Sequence, residues 1–139
     1  MPVHMQLLGK CSYEDAVQWS VANAEEVGEG YSFSKEAIVV WTMVNSQKLI
    51  KQGIRINCVL PGLTSTPMLT DQIAVKTSPA VLDTVMQPMG RPAQPEEQAA
   101  PLIMLNSAAA SYVNGVAFNV DGGRMAGVMT SQIHPSAAA

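Results

Sequence analysis

The hydrophobic and polar positions change period several times along the chain. Residues 1–11 carry no assignable pattern. Ser12 with Asp15 then gives a start signal, side-chain oxygens placed to satisfy the free N–H groups of a first helical turn. Val17, Val21 and Ala24 follow at helical spacing, and Gly28 stops the helix. A second helix is predicted from about Ser32 to Gln52, with Gly53 as its stop. Its middle, Ala37–Val44, is apolar on every side, which predicts burial on two faces. Ile54–Gly62 reads as a strand covered on both faces: Ile54, Ile56 and Cys58 alternate, Val59 and Leu60 follow, and Pro61-Gly62 ends it.

Residues 63–90 are proline-rich and mixed, an excursion rather than a core element. Pro95-Glu96-Glu97 opens a further helix to about Asn106, with proline in the first turn and acids at the positive end. Pro101 inside it removes a backbone bond to Glu97 and predicts a kink. Val113–Gly123 gives a turn at Asn114-Gly115, a strand, and a stop at Asp121-Gly122-Gly123. The tail beyond is expected to be loose, and no internal repeat is visible. Strands alternating with helices predict an α/β fold with a parallel sheet. Two strands cannot cover helices this apolar, so the chain reads as part of a larger sheet.

Composition narrows the function classes. A chain of 139 residues fits one domain, and 47% hydrophobic with 14% charged residues suits a globular protein. The net charge is −3 with no basic stripe, so nucleic acid is not an expected partner. Cys11 and Cys58 lack CxxC or metal spacing and read as reduced thiols of a cytoplasmic protein. No apolar run reaches the roughly 18 residues of a membrane span. The opening MPVHMQLLGK lacks the pattern of a signal peptide. His4 and His134, near opposite ends, read as solvated, and no metal site is expected. Glu25, Glu26 and Glu29 read as a solvated face.

Candidate chemistry sits at Tyr31 and Lys35. Their i, i+4 spacing puts both on one helix face. A nearby ammonium favours phenolate over phenol, which makes tyrosine a usable acid/base near neutral pH. Spacing alone also allows a buried tyrosine and a surface lysine that never meet.

Five features recur in order: Tyr31-x-x-x-Lys35, the strand closing on Pro61-Gly62, Thr66 four places after that glycine, GRPAQPEE (Gly90–Glu97), and SYVNG…NVDGG (Ser111–Gly123). Together they resemble the C-terminal half of a short-chain dehydrogenase/reductase, over about residues 12–124. The helical stretch before the tyrosine and the sequence PGLTSTPM resemble the bacterial 3α-hydroxysteroid dehydrogenase/carbonyl reductase branch.

The resemblance implies one partial Rossmann-like domain, doubly wound on a parallel sheet, holding only the C-terminal strands and helices. Its parts would be a helical insert (12–30), the catalytic helix and strand (31–62), a substrate loop (63–90), the last helix and strand (91–124) and a tail (125–139). The implied activity is NAD- or NADP-dependent interconversion of a secondary alcohol and a ketone. Tyr31 would be the general acid/base, and Lys35 would lower its pKa and bind the nicotinamide ribose. Pro61 and Gly62 would let backbone approach the cofactor at the strand's C-terminal end. Backbone around Leu63 and Thr64 would hold the nicotinamide carboxamide, and Thr66 the carboxamide or pyrophosphate. Met68, Leu69, Val85 and Met86, with Val81 and Leu82, would line a pocket for a bulky apolar, hydroxysteroid-like alcohol. A homo-oligomer is implied for the full-length form.

Other family features are missing. No glycine-rich phosphate loop opens a helix after a strand. Ser12, Ser20, Ser32 and Ser34 are in the wrong context for the family's catalytic serine, and Asn23 and Asn45 do not match its asparagine. The chain therefore reads as truncated, with little or no hydride transfer expected of it alone. The alternative is a non-catalytic fragment acting as an interaction or dimerisation module.

Overall fold

A computed structural model describes residues 2–67, 69 and 87–133. The chain divides into two compact units. The first runs to Cys58 and adds Val113–Ala117; the second comprises Val59–Tyr112 and the chain from Phe118 onward.

The first unit opens with a helix the sequence does not announce, α1 (Pro2–Leu8). It docks on α4 (Tyr31–Leu49), where His4 stacks on Phe33 at 4.4 Å and lies 3.1 Å from the Glu36 carboxylate. His4 is buried, not solvated as expected. Its ring serves as an apolar plate on an aromatic partner that spacing cannot reveal.

Helix α2 (Tyr13–Ala22) starts as predicted: the Ser12 hydroxyl accepts the Asp15 N–H at 3.0 Å. It breaks at Asn23, whose side chain donates to the Trp19 carbonyl at 2.7 Å. A short α3 (Ala24–Val27) then ends at Gly28, φ 55°. Helix α4 continues into a 3-10 turn, Ile50–Gln52, closed by Gly53 in the left-handed region.

Within α4, Ala37, Val40, Thr42 and Ser46 are buried. The Thr42 and Ser46 hydroxyls donate to the Ile38 and Met43 carbonyls of the same helix, so neither is buried unpaired. The expected burial on two faces is not met. Ile38 and Trp41 are 53% and 46% exposed, because this chain supplies cover for one face only.

The predicted strand is also shorter than expected, β1 spanning Cys58–Pro61. Before Cys58, side chains take the bonds a ladder would use. Arg55 and Asn57 donate to the Val113 carbonyl, Asn114 Oδ1 accepts the Ile56 N–H, and Asn57 Oδ1 accepts the Val116 N–H. Gly115 turns the chain here at φ 75°, against Ser46.

β1 pairs with β2 (Ala117–Val120) in one two-stranded sheet. Cys58 N–H donates to Val116 and Gly62 N–H to Val120, a constant offset of 58 that makes the pair parallel. The strands are half-buried or exposed, not covered on both faces.

The second unit holds α5 (Pro95–Leu105), whose start is a reciprocal cap between Gln94 and Glu97. It runs through Pro101 to the buried Leu105. The segment after Gly123, expected to be a loose tail, begins with α6 (Arg124–Met129). Asp121 sets it: its carboxylate accepts the Gly123 N–H at 3.0 Å and the Met125 N–H at 2.8 Å. Gly122 and Gly123, φ 60° and 89°, make the turn that allows this. The structural reading of Asp121-Gly122-Gly123 holds, with a helix start added to the strand stop.

Candidate active site

Tyr31 is the first residue of α4, and Lys35 lies one turn later. Both residues are exposed, Tyr31 to 71%. Lys35 Nζ sits over the ring, 5.5 Å from its centre, a cation–π contact. The two residues therefore meet. The ammonium faces the ring rather than closing a bond on the hydroxyl, and the hydroxyl stays open to a ligand. Ser34 donates to the Tyr31 carbonyl at 2.7 Å, fixing the first turn that presents the ring.

The expected cofactor-binding groups from Pro61 to Thr66 lie in the second unit. Gly62 follows β1, and a Cβ there would fall 2.8 Å from the Asp121 Cα and 2.8 Å from the Gln87 amide. Only glycine lets the end of β1 approach the turn after β2 this closely. The chain then runs alongside residues 87–93. Ala93 N–H donates to the Leu63 carbonyl at 2.9 Å, and Ser65 N–H donates to the Ala93 carbonyl at 2.8 Å, a parallel bridge centred on Thr64.

Backbone groups of successive extended residues point to opposite edges. Leu63 and Ser65 thus face Ala93, and the Thr64 N–H and C=O face the other way. Among the described residues, neither Thr64 backbone group has a hydrogen-bond partner. One donor beside one acceptor is the complement of a carboxamide, so this edge fits the nicotinamide amide. Leu63 does not share that fit, because its carbonyl is held by Ala93, and its N–H meets the Gln87 amide oxygen in the amide orientation that satisfies both neighbours. The Thr64 hydroxyl donates to the Gly62 carbonyl at 3.1 Å. The Thr66 hydroxyl accepts the Leu69 N–H at 3.4 Å and starts a helical turn at Pro67.

A cavity of about 290 Å³ opens beside this segment, lined among others by Gly62, Leu63, Gln87, Arg91, Asn119 and Asp121. Arg91 and Glu97 form a bidentate pair at its rim, 2.7 and 2.8 Å. The hydrogen bonds from Arg91, and then that from Gln94 N–H, lower the Glu97 pKa to about 2. The same pairing raises that of Arg91.

Of the expected substrate-lining residues, Leu69 is half-buried in the turn after Thr66. Met68, Val81, Leu82, Val85 and Met86 lie outside the described residues, as does His134. Gln87 was not foreseen: one glutamine in a proline-rich stretch carries no period and no motif. Among the described residues no cluster of three metal-ligating side chains occurs, and no helix is long and apolar enough to cross a membrane.

A family model described as enoyl-(acyl carrier protein) reductase matches residues 15–125. The chain is 42% identical over 93 residues to the uncharacterized oxidoreductase YhxC of Bacillus subtilis, covering 67% of this chain and 32% of that protein. It is 35% identical over 107 residues to the 3-alpha-hydroxysteroid dehydrogenase/carbonyl reductase of Comamonas testosteroni, covering 73% and 42%. The 3-alpha-hydroxysteroid dehydrogenase of Pseudomonas sp. B-0831, solved with NADH, superposes with a TM-score of 0.72 at 28% identity, covering 94% of this chain and 50% of that one. The matched part is thus between 32% and 50% of the length of these proteins.

Proposed function

The chain belongs to the short-chain dehydrogenase/reductase family, and on that premise we propose that it carries proton-transfer and nicotinamide-holding residues of an NAD(P)-dependent oxidoreductase acting on a secondary alcohol or ketone. The observation that carries this reading is the Tyr31–Lys35 pair: one helical turn apart, in contact, open to ligand, and inside the stretch that matches the family model.

When bound, the nicotinamide supplies or accepts the hydride. Tyr31 gives a proton to the ketone oxygen in reduction and takes it from the hydroxyl in oxidation. Lys35 holds positive charge beside that phenol and binds the ribose hydroxyls. Thr64 takes the carboxamide on its N–H and C=O, the glycine of Pro61-Gly62 leaves room for the close approach, and Thr66 adds a hydroxyl to the same loop. The similarity to two hydroxysteroid dehydrogenases supports a bulky apolar alcohol as substrate. On this reading residues 12–30 are an insert, 31–62 the catalytic helix and strand, 63–90 the substrate loop, and 91–124 the last helix and strand. The exposed Ile38 and Trp41 of α4 support assembly of the whole protein with a second copy.

The chain alone is expected to turn over little, so the test supplies the rest. The 139-residue chain is mixed with the N-terminal half of the Comamonas testosteroni enzyme, and that enzyme's own two halves serve as positive control. NADH formation from a 3α-hydroxysteroid should appear in the mixture and fall by at least about 100-fold with Tyr31→Phe, the usual worth of a general acid/base. Turnover that survives Tyr31→Phe, or a dead mixture beside a working control, refutes the reading.

A further inference from the structure

We propose that Gln87 is the positioning residue of the nicotinamide loop: it holds Leu63 so that Thr64 presents its N–H and C=O to the carboxamide. The proposal rests on the function given above and names a part of that site which no motif marks.

The argument begins with the register. In the parallel bridge centred on Thr64 and Ala93, the next rung toward the N-terminus would run from Leu63 N–H to the Arg91 carbonyl. That direct rung is not made. The Gln87 side chain is inserted into it. In the amide orientation that satisfies both neighbours, its oxygen accepts the Leu63 N–H and its nitrogen donates to the Arg91 carbonyl at 3.2 Å. One side-chain amide thus relays a missing ladder bond.

The side chain is locked where it does this. Gln87 is 4% exposed. Its amide lies 2.8 Å from where a Cβ on Gly62 would fall, and its Cβ and Cγ lie 2.8 and 3.3 Å from where one on Gly122 would fall. Burying an amide is unfavourable unless both ends are paired, and here both are. With Leu63 held at its N–H by Gln87 and at its carbonyl by Ala93, the peptide planes on either side of it are fixed. Those planes set the direction of the Thr64 N–H.

Two variants separate this from ordinary packing. Gln87→Met keeps length and bulk but removes both hydrogen bonds. Gln87→Glu keeps an oxygen that accepts from Leu63 N–H. Two readouts are taken on the 139-residue chain: amide hydrogen exchange, and binding of reduced nicotinamide mononucleotide by its fluorescence. The probe carries the nicotinamide half of the cofactor and needs no adenine site.

In Gln87→Met, Leu63 exchange should accelerate by about tenfold or more, the loss expected when a buried donor is orphaned. The Ala93 and Gly62 amides, bonded elsewhere, should keep their rates. Affinity for the probe should fall by about fivefold to fiftyfold on the same ground, and Gln87→Glu should recover most of the Leu63 protection. Unchanged Leu63 exchange in Gln87→Met overturns the proposal. So does faster exchange with affinity equal to that of the unaltered chain. If the unaltered chain does not bind the probe at all, the function reading itself fails, and the exchange data show separately whether Gln87 holds the loop.

Discussion

Replacing Gly62 by alanine tests the tightest backbone approach at any described glycine of the second unit. Gly62 has an ordinary negative-φ backbone, so alanine meets no conformational penalty there. In the folded state the effect is steric. Its Cβ would sit 2.8 Å from the Asp121 Cα and 3.2 Å from the Asp121 carbonyl carbon, where ordinary contacts begin near 3.4 Å. The obstacle is backbone and cannot rotate away. Overpacking costs about 1–3 kcal/mol, and a rigid neighbour puts this case in the upper half. The lost freedom of glycine in the unfolded chain returns about 0.4–1 kcal/mol. The net loss is then about 2 kcal/mol. For a chain of this size that lowers the melting temperature by about 6–10 °C. Thermal unfolding followed by circular dichroism reads the shift. Gly53→Ala is the comparison, since it has open space but φ 75° and so carries only the backbone penalty, about 1–2 kcal/mol. A Gly62→Ala midpoint within about 2 °C of the parent refutes the close approach. Full recovery in Gly62→Ala with Gln87→Ala would shift the obstacle from Asp121 to the glutamine.

Two further outcomes follow from local chemistry. Ser12→Ala removes the acceptor for the Asp15 N–H, and should cost about 1 kcal/mol in the stability of α2. Hydrogen exchange of the α2 amides measures it, and binding of reduced nicotinamide mononucleotide should not change. The Arg91–Glu97 pair gives an acid dependence of defined sign. Glu97 sits at about 2 folded against an ordinary 4.5, so its contribution is complete above about 4.5 and is lost as pH falls toward 2. Both side chains are solvent-exposed, so the slope is shallow. Glu97→Gln should flatten it in urea titrations run from pH 5 to pH 2, and an unchanged slope would remove the pair from the acid response.

How far the sequence was legible depended on the range of the interaction. Stops were readable because they are local. Gly28, Gly53, Gly115, Gly122 and Gly123 all take positive φ, the conformation that made glycine informative in the first place. The cap at Ser12 and the proline-led start at Pro95 were readable for the same reason. Helix α1 was not, since no cap marks it and its place comes from His4 on Phe33. Helix α6 was missed because Asp121 caps it only after two glycines turn the chain back on that carboxylate. The strand over Ile54–Asn57 alternates correctly but yields to Asn57 and Asn114, whose amides capture backbone bonds 56 to 59 residues away. Periodicity reports which face a residue prefers. It is silent on side chains that compete for the ladder.

The same limit explains why sequence does not tell Leu63 from Thr64 in the loop after Pro61-Gly62, whereas their backbone pairing differs in the structure. A motif locates the loop near a ligand but does not say which peptide group turns toward it. That is a question of parity, and the answer comes from the partner strand. Ala93 takes the Leu63 carbonyl and the Ser65 N–H, so both odd positions face that strand, and among the described residues Thr64 is left with an unpaired donor and acceptor on the other edge. A shift of one residue in the register against Ala93 would reverse the assignment and turn Leu63 and Ser65 outward. The chemistry of the loop therefore rests on whatever fixes that register. Two groups do so: the backbone of Ala93 on one rung, and the Gln87 amide standing in for the next. Recognition of a carboxamide by backbone alone tolerates many side chains at position 64, but it does not tolerate a free choice of register. On the proposed function, the residues that set the register are thus as much a part of the site as Thr64 itself.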